Sequence, residues 1–193
     1  MSGSYGASPR LLFVCTANIC RSAYAEVRAR QMLGLDAGWA FFSAGVPGTV
    51  GREMDPPMVA QAVARGVALE DCLAMRSRQM REGILRRSRL VVTMANSHRV
   101  ALLDDFPAYA ERYWTLGQLA DAATLLQRDD AWLSYDTDQL VQALHAVRGP
   151  AGGGRDVADP YRRGDAAMAA AADTIDAYLR TILPLLSRGL RPS

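Results

Sequence analysis

The sequence predicts a single α/β domain whose four-stranded parallel sheet is covered by helices on both faces, and three observations carry that expectation. Its 193 residues fit one domain with a sizeable core, the usual range being about 100–200 residues. Short continuous apolar runs, of which Leu11-Leu12-Phe13-Val14-Cys15 is the first, have the character of strands buried on both faces. These runs alternate with helix-forming stretches that end at glycine, the order that builds βαβ units.

The elements follow in chain order. After the first strand and a tight loop, residues 22–33 are helix formers throughout and stop before Gly34. Residues 39–44 read as a second strand, a Gly/Pro-rich loop runs to Pro57, and residues 58–65 form a helix closed by Gly66. Residues 90–94 are the third strand, followed by a helix over about 97–103, and residues 113–116 the fourth. Residues 118–126 and 138–147 look helical within an inserted excursion at about 117–155, and residues 149–154 make a flexible connector. A long Ala-rich helix over 165–186 carries Met168, Ile175, Tyr178, Leu179 and Ile182 on one stripe that packs back onto the sheet. On this reading residues 1–9 and 188–193 are tails and 10–187 the domain.

Composition excludes several classes. Half the residues are apolar and 22% charged, as in ordinary globular proteins. The net charge is only +2 although all 22 basic residues are Arg, so no nucleic-acid partner is expected. Three Cys suit a reduced interior with one active thiol better than a disulfide framework. No apolar run is long enough to span a bilayer, and Met1 to Pro9 lacks the pattern of an export signal. A cytoplasmic location without membrane insertion is the expectation.

The chemistry concentrates in Cys15-Thr16-Ala17-Asn18-Ile19-Cys20-Arg21-Ser22, which joins a buried strand to a helix N-terminus. Free amides at a helix start, the positive end of its dipole and successive loop N–H groups together make a concave site for a tetrahedral oxyanion. Arg21 adds a planar fork for phosphate oxygens. The same field favours a thiolate at Cys15, aimed from the strand end at a bound phosphorus. A bare C-x5-R spacing arises by chance about one time in three in a chain of this composition. Its position, with the Cys ending a strand, the Arg opening a helix and Ser22 following, makes it specific.

This loop resembles that of the low-molecular-weight protein tyrosine phosphatases, C-x5-R-[ST] near the N-terminus. Asn18, Cys20-Arg21-Ser22 and Ala25-Glu26 match the family's continuation. Ser43-Ala44-Gly45, Asp55-Pro56, Arg76-Ser77-Arg78, Val91-Val92-Thr93-Met94 and Ser97-His98 fall where the family has similar segments, and Asp159-Pro160-Tyr161 looks like its acid motif. The likeness covers about residues 10–116 and 156–187, and is nearest to the bacterial branch that accompanies exopolysaccharide tyrosine kinases.

The resemblance implies that Cys15 is the nucleophile of a phosphocysteine intermediate, Arg21 the clamp on phosphate oxygens and Asp159 the general acid and then base. Ser22 would hydrogen-bond the Cys15 sulfur and Asn18 would hold the loop, whose residues Thr16, Ala17, Ile19 and Cys20 complete the phosphate cradle. Phosphotyrosine proteins would be the substrates, with a tyrosine kinase of polysaccharide assembly as a partner. No metal or other cofactor is implied. Cys20 is either a packing residue or, as the resemblance suggests, a redox partner that traps oxidised Cys15 as a disulfide.

Departures from the family pattern are informative. Ala17 stands where the family often has Gly, so a positive φ there would carry strain. Ala23 replaces a Pro, and Ala95 follows Met94 where an acidic residue is common. Thr49 lies near where many members place a large apolar or aromatic wall residue, leaving Tyr161 as the expected aromatic side of the substrate pocket. Cys72, His98 and His145 read as structural or surface residues. Arg76, Arg78, Arg81, Arg86, Arg87 and Arg89 form either a solvated face or a docking site for an acidic phosphoprotein tail. Two other functions stay open: arsenate reduction on the same loop, which needs further thiols, and a catalytically weak phosphate- or phosphotyrosine-binding module.

Overall fold

The computed structural model describes residues 8–34, 38–151 and 155–187. The expected tails at 1–7 and 188–193, and Gly152-Gly153-Gly154 of the connector, lie outside the described residues. In chain order the elements are β1 (Arg10–Cys15), α1 (Arg21–Leu33), β2 (Ala40–Gly45), α2 (Pro56–Ala64), α3 (Leu69–Ala74), α4 (Glu82–Arg86) and β3 (Leu90–Thr93). They continue as α5 (Asn96–Asp105), β4 (Tyr113–Thr115), α6 (Leu116–Leu126), α7 (Thr137–Ala146) and α8 (Asp165–Leu186), with 3-10 turns at Pro107–Arg112 and Ala131–Ser134.

The four strands pair in the order β2-β1-β3-β4, all parallel. Alternate residues of β1 point to opposite faces, and both faces are covered. Leu11, Phe13 and Cys15 join one apolar cluster with α1, α6 and α8, whereas Leu12 and Val14 join another with Leu85, Leu102 and Tyr113. The chain leaves β1 to one side for β2 and returns to its other side for β3. The carboxyl ends of β1 and β3 therefore open the crevice where such sheets bind ligands.

Helices α1 and α8 are locked by a buried carboxylate. Asp176 of α8 accepts hydrogen bonds from the Tyr24 hydroxyl at 2.8 Å and from Arg28 Nη2 at 2.9 Å. Burial and the neighbouring Asp176 carboxylate push the Tyr24 phenol well up from its usual value, so it stays a donor.

Two features differ from the sequence expectation. Helices α3 and α4 are only six and five residues long, too short to present a repeating apolar stripe. The segment expected as an excursion instead contributes to the main core. Helix α6 starts directly after β4, capped by the Thr115 hydroxyl, and contributes Leu119, Ala120, Ala122 and Ala123 to the cluster under α8, while α7 adds Leu140, Val141 and Leu144. Apolar residues at helical spacing bury against the nearest apolar face, and here that face is α8. Gly117 permits the arrangement, because a Cβ there would meet the Arg155 carbonyl oxygen at 2.7 Å.

Candidate active site

Residues 16–20 run from the end of β1 into α1, and their conformation is set from outside. The carbonyls of Cys15, Thr16 and Ile19 accept from the Val46, Gly48 and Asp55 N–H groups, and that of Ala17 accepts from the Thr49 hydroxyl at 2.8 Å. Every one of these bonds turns a carbonyl away from the pocket. None of the hydrogen bonds among the described residues uses the backbone N–H groups of residues 16–21. What the pocket meets is thus the donor side of the loop. Gly45 of β2 makes the close approach possible, since a Cβ there would lie 2.4 Å from the Thr16 carbonyl oxygen.

Asn18 is the keystone of the loop. It adopts φ 59°, a left-handed conformation that Asn tolerates better than most residues. Its amide donates to Ser22 Oγ at 3.0 Å and Ser43 Oγ at 2.7 Å, and its carbonyl oxygen accepts from the Arg78 N–H at 2.8 Å. The Ser43 hydroxyl in turn donates a hydrogen bond to the fully buried Glu26, which Arg30 and Arg78 flank. With Asn18 donating to it, the Ser22 hydroxyl is free to direct its one proton at Cys15 Sγ, 2.9 Å away. A chain of hydrogen bonds thus connects a buried carboxylate to the sulfur. The strain expected at Ala17 does not arise, because the left-handed residue is its neighbour Asn18.

Arg21 is buried and held from behind. Its Nη1 donates to the Val157 carbonyl at 2.9 Å and its Nη2 stands 3.2 Å from Asp159 Oδ1. Segment 155–161 reaches this position because the Val157 N–H donates to the Met94 carbonyl and Asp156 caps α5 at the Asn96 N–H. Ala95 offers no carboxylate here, and the one that meets the start of α5 is that of Asp156. Asp159 is half exposed, and the Tyr161 N–H reaches its Oδ1 at 3.4 Å.

These groups surround a pocket of about 210 Å³ with Cys15, residues 16–17, Ile19, Cys20 and Arg21 at its base and Asp159 and Tyr161 on its wall. Thr49 does not line it; its hydroxyl braces Ala17 and Ser77 instead. Arg52 of the same loop lines the pocket together with Tyr161, and an irregular loop gives no periodicity from which to count to it.

His98, which the sequence reads as a structural or surface residue, reaches the loop. It lies in the first turn of α5, beyond the carboxyl end of β3, and its Nε2 is 3.0 Å from Thr16 Oγ1. Burial and the Arg21 charge lower its pKa to about 4, so the ring is neutral near pH 7. Cys20 lines the pocket, and its thiol is pushed well up by burial and by Asp55, Cys15 and Asp159. Cys72 is buried, and all three cysteines are free thiols. Among the described residues no His, Cys, Asp or Glu cluster could hold a metal ion, and no helix is long and apolar enough to cross a membrane.

Fold and site together define an α/β protein that presents an oxyanion cradle and a cysteine at the sheet's switch point. The family model for low molecular weight phosphotyrosine protein phosphatase matches residues 10–130, and the chain belongs to that family of phosphomonoester hydrolases. It is 32% identical over 108 residues to the low molecular weight protein-tyrosine-phosphatase Wzb of Salmonella typhi, a match covering 56% of this chain and 68% of Wzb. With the probable low molecular weight protein-tyrosine-phosphatase EpsP of Ralstonia solanacearum it shares 26% identity over 140 residues, 64% of this chain and 92% of EpsP. Among solved structures, the low molecular weight protein tyrosine phosphatase of T. tengcongensis superposes with a TM-score of 0.68 at 26% identity, covering 92% and 99% of the two chains. The YwlE arginine phosphatase of Geobacillus stearothermophilus has the same fold, with a TM-score of 0.69 at 23% identity over 91% of each chain.

Proposed function

We propose that the chain hydrolyses phosphotyrosine in proteins through a phosphocysteine at Cys15. In the first step the Cys15 thiolate attacks phosphorus, the phosphorus–oxygen bond to the tyrosine breaks, and Asp159 gives the leaving oxygen its proton. In the second step Asp159 takes a proton from water as that water displaces the sulfur, releasing inorganic phosphate and restoring the thiolate. Arg21 and the loop N–H groups of residues 16–21 bind the equatorial oxygens throughout. Ser22 and Asn18 position the sulfur and the loop, and Tyr161 forms the aromatic wall of the pocket.

The observation that carries this reading is the convergence of Cys15, Arg21 and Asp159 on one pocket from opposite ends of the chain. Apolar Ala17 and Ile19 beside Tyr161 suit a substituent that is an aryl ring. A phosphotyrosine substrate requires a tyrosine kinase to make it. We assign that role to a bacterial kinase of polysaccharide assembly, with both proteins meeting in the cytoplasm and residues 10–187 forming the folding unit.

The test is hydrolysis of an aryl phosphate and of phosphotyrosine and phosphoarginine peptides, in chelator and reductant, by wild type, Cys15→Ser and Asp159→Ala. Wild type turns over both aryl substrates faster than the phosphoarginine peptide. Cys15→Ser is inactive, and Asp159→Ala loses about 10²–10⁴-fold in kcat. No turnover by folded, reduced wild type would overturn the proposal, and faster cleavage of phosphoarginine would redirect it.

A further inference from the structure

Arginines collect at the end of the sheet opposite the catalytic loop. Arg10 opens β1, Arg89 precedes β3, Arg112 precedes β4, and Arg86 and Arg87 close α4 around a groove of about 480 Å³. Parallel strands all begin at the same end, and the catalytic loop follows the far end of β1. Six residues at about 3.3 Å each separate the two by roughly 20 Å. A neighbouring groove of about 400 Å³ shares Arg10 and Arg87, is lined by Phe42, Ile84 and Arg81, and extends along β2 to Arg78, whose N–H bonds Asn18.

Charge on this surface is unbalanced. Glu26 pairs with Arg78, Glu82 with Arg86 and Asp138 with Arg89. Seven arginines against three carboxylates leave a surplus of four, in a chain whose whole surplus is two. Arg81 and Arg87 are exposed and make no ion pair among the described residues. Arg112 is committed to the Leu85 and Ser88 carbonyls, which fixes the end of α4 and so the position of Arg87.

The lining selects among anions. Guanidinium forks match carboxylates in a bidentate way, and the half-buried Phe42 and Ile84 offer apolar contact to a side chain. The Phe42 ring already carries the Arg10 and Arg30 guanidiniums, 4.6 and 5.7 Å from its centroid, which leaves it a poor platform for a stacked base. We propose that this surface docks an acidic polypeptide segment of the protein substrate, at a site separate from the phosphate pocket. Docking there raises the local concentration of substrate at the pocket, so it lowers KM for long acidic substrates and leaves the chemical step alone. The substrate assignment rests on the phosphatase reading, whereas peptide binding itself does not.

The test uses the full chain and the charge reversal Arg81→Glu with Arg87→Glu, neither of which lines the phosphate pocket. Binding of a fluorescein-labelled, Glu/Asp-rich peptide without phosphate is followed by anisotropy at rising salt. Wild type binds and weakens with salt, and the double variant loses about tenfold or more in affinity. For a phosphotyrosine peptide extended by that acidic stretch, KM rises in the variant with kcat constant. Aryl phosphate kinetics are unchanged, which also shows the variant to be folded. Equal peptide binding by wild type and variant would sink the proposal. So would tighter Arg81- and Arg87-dependent binding of an RNA oligonucleotide or of phosphatidylserine vesicles. Peptide binding without aryl phosphate turnover would leave the docking site standing and remove the phosphatase reading.

Discussion

Asn18 fixes the turn after Cys15, because its amide donates twice and accepts once and so ties a left-handed backbone to Ser22, Ser43 and Arg78. His98 could not be placed, since its partner Thr16 is 82 residues away. Its chemistry leads to a prediction. The ordinary value of 6.5 applies in the unfolded chain and about 4 in the folded one. Between those pH values the unfolded chain holds a proton that the folded one does not, so this contribution to stability is whole above about 6.5 and is lost as pH falls towards 4. Urea melts of wild type and His98→Gln from pH 4 to 7 should therefore give a shallower pH dependence for the variant. Parallel profiles would mean that burial of His98 costs nothing.

At the scale of elements, α1 must be held rigidly because its first turn carries Arg21 and Ser22, and α8 does this through Asp176. Removing one member of a buried ion pair leaves the other charge without compensation. Asp176→Ala should cost about 3 kcal/mol in a chemical melt, towards the low end for such pairs because Arg28 keeps a path to water. The apolar pair Arg28→Met with Asp176→Leu should recover much of that loss, and a double variant no better than the single one would show that the pair contributes more than compensation. The same scale explains α3 and α4. Neither is long enough to be stable alone, and Arg112 ties off α4 from a distant part of the chain.

Across the whole molecule, the Cys15 pocket links distant parts of the chain, with β1 and α1 on one side and segment 155–161 on the other. An anion that fills it should stabilise the entire fold by mass action. At a hundredfold excess over Kd, inorganic phosphate should contribute about 2.7 kcal/mol, or a rise of about 5–10 °C in Tm. In Arg21→Met the rise should vanish, and its persistence would place the bound phosphate elsewhere, with the arginine surface beyond the amino ends of the strands as the obvious location.

Local order alone determined the alternating α/β pattern, the strand–loop–helix that carries Cys15 and Arg21, and the motif Asp159-Pro160-Tyr161. Each is a contiguous stretch whose apolar pattern, turn residues or charges act over a few bonds. Only the tertiary structure decided that α6 and α7 belong to the core, that Arg52 rather than Thr49 lines the pocket, and that Asp156 and His98 pack around the site. Those outcomes depend on which surfaces meet when the sheet is assembled, and a contact between residues far apart in the chain leaves no periodic trace in either of its halves.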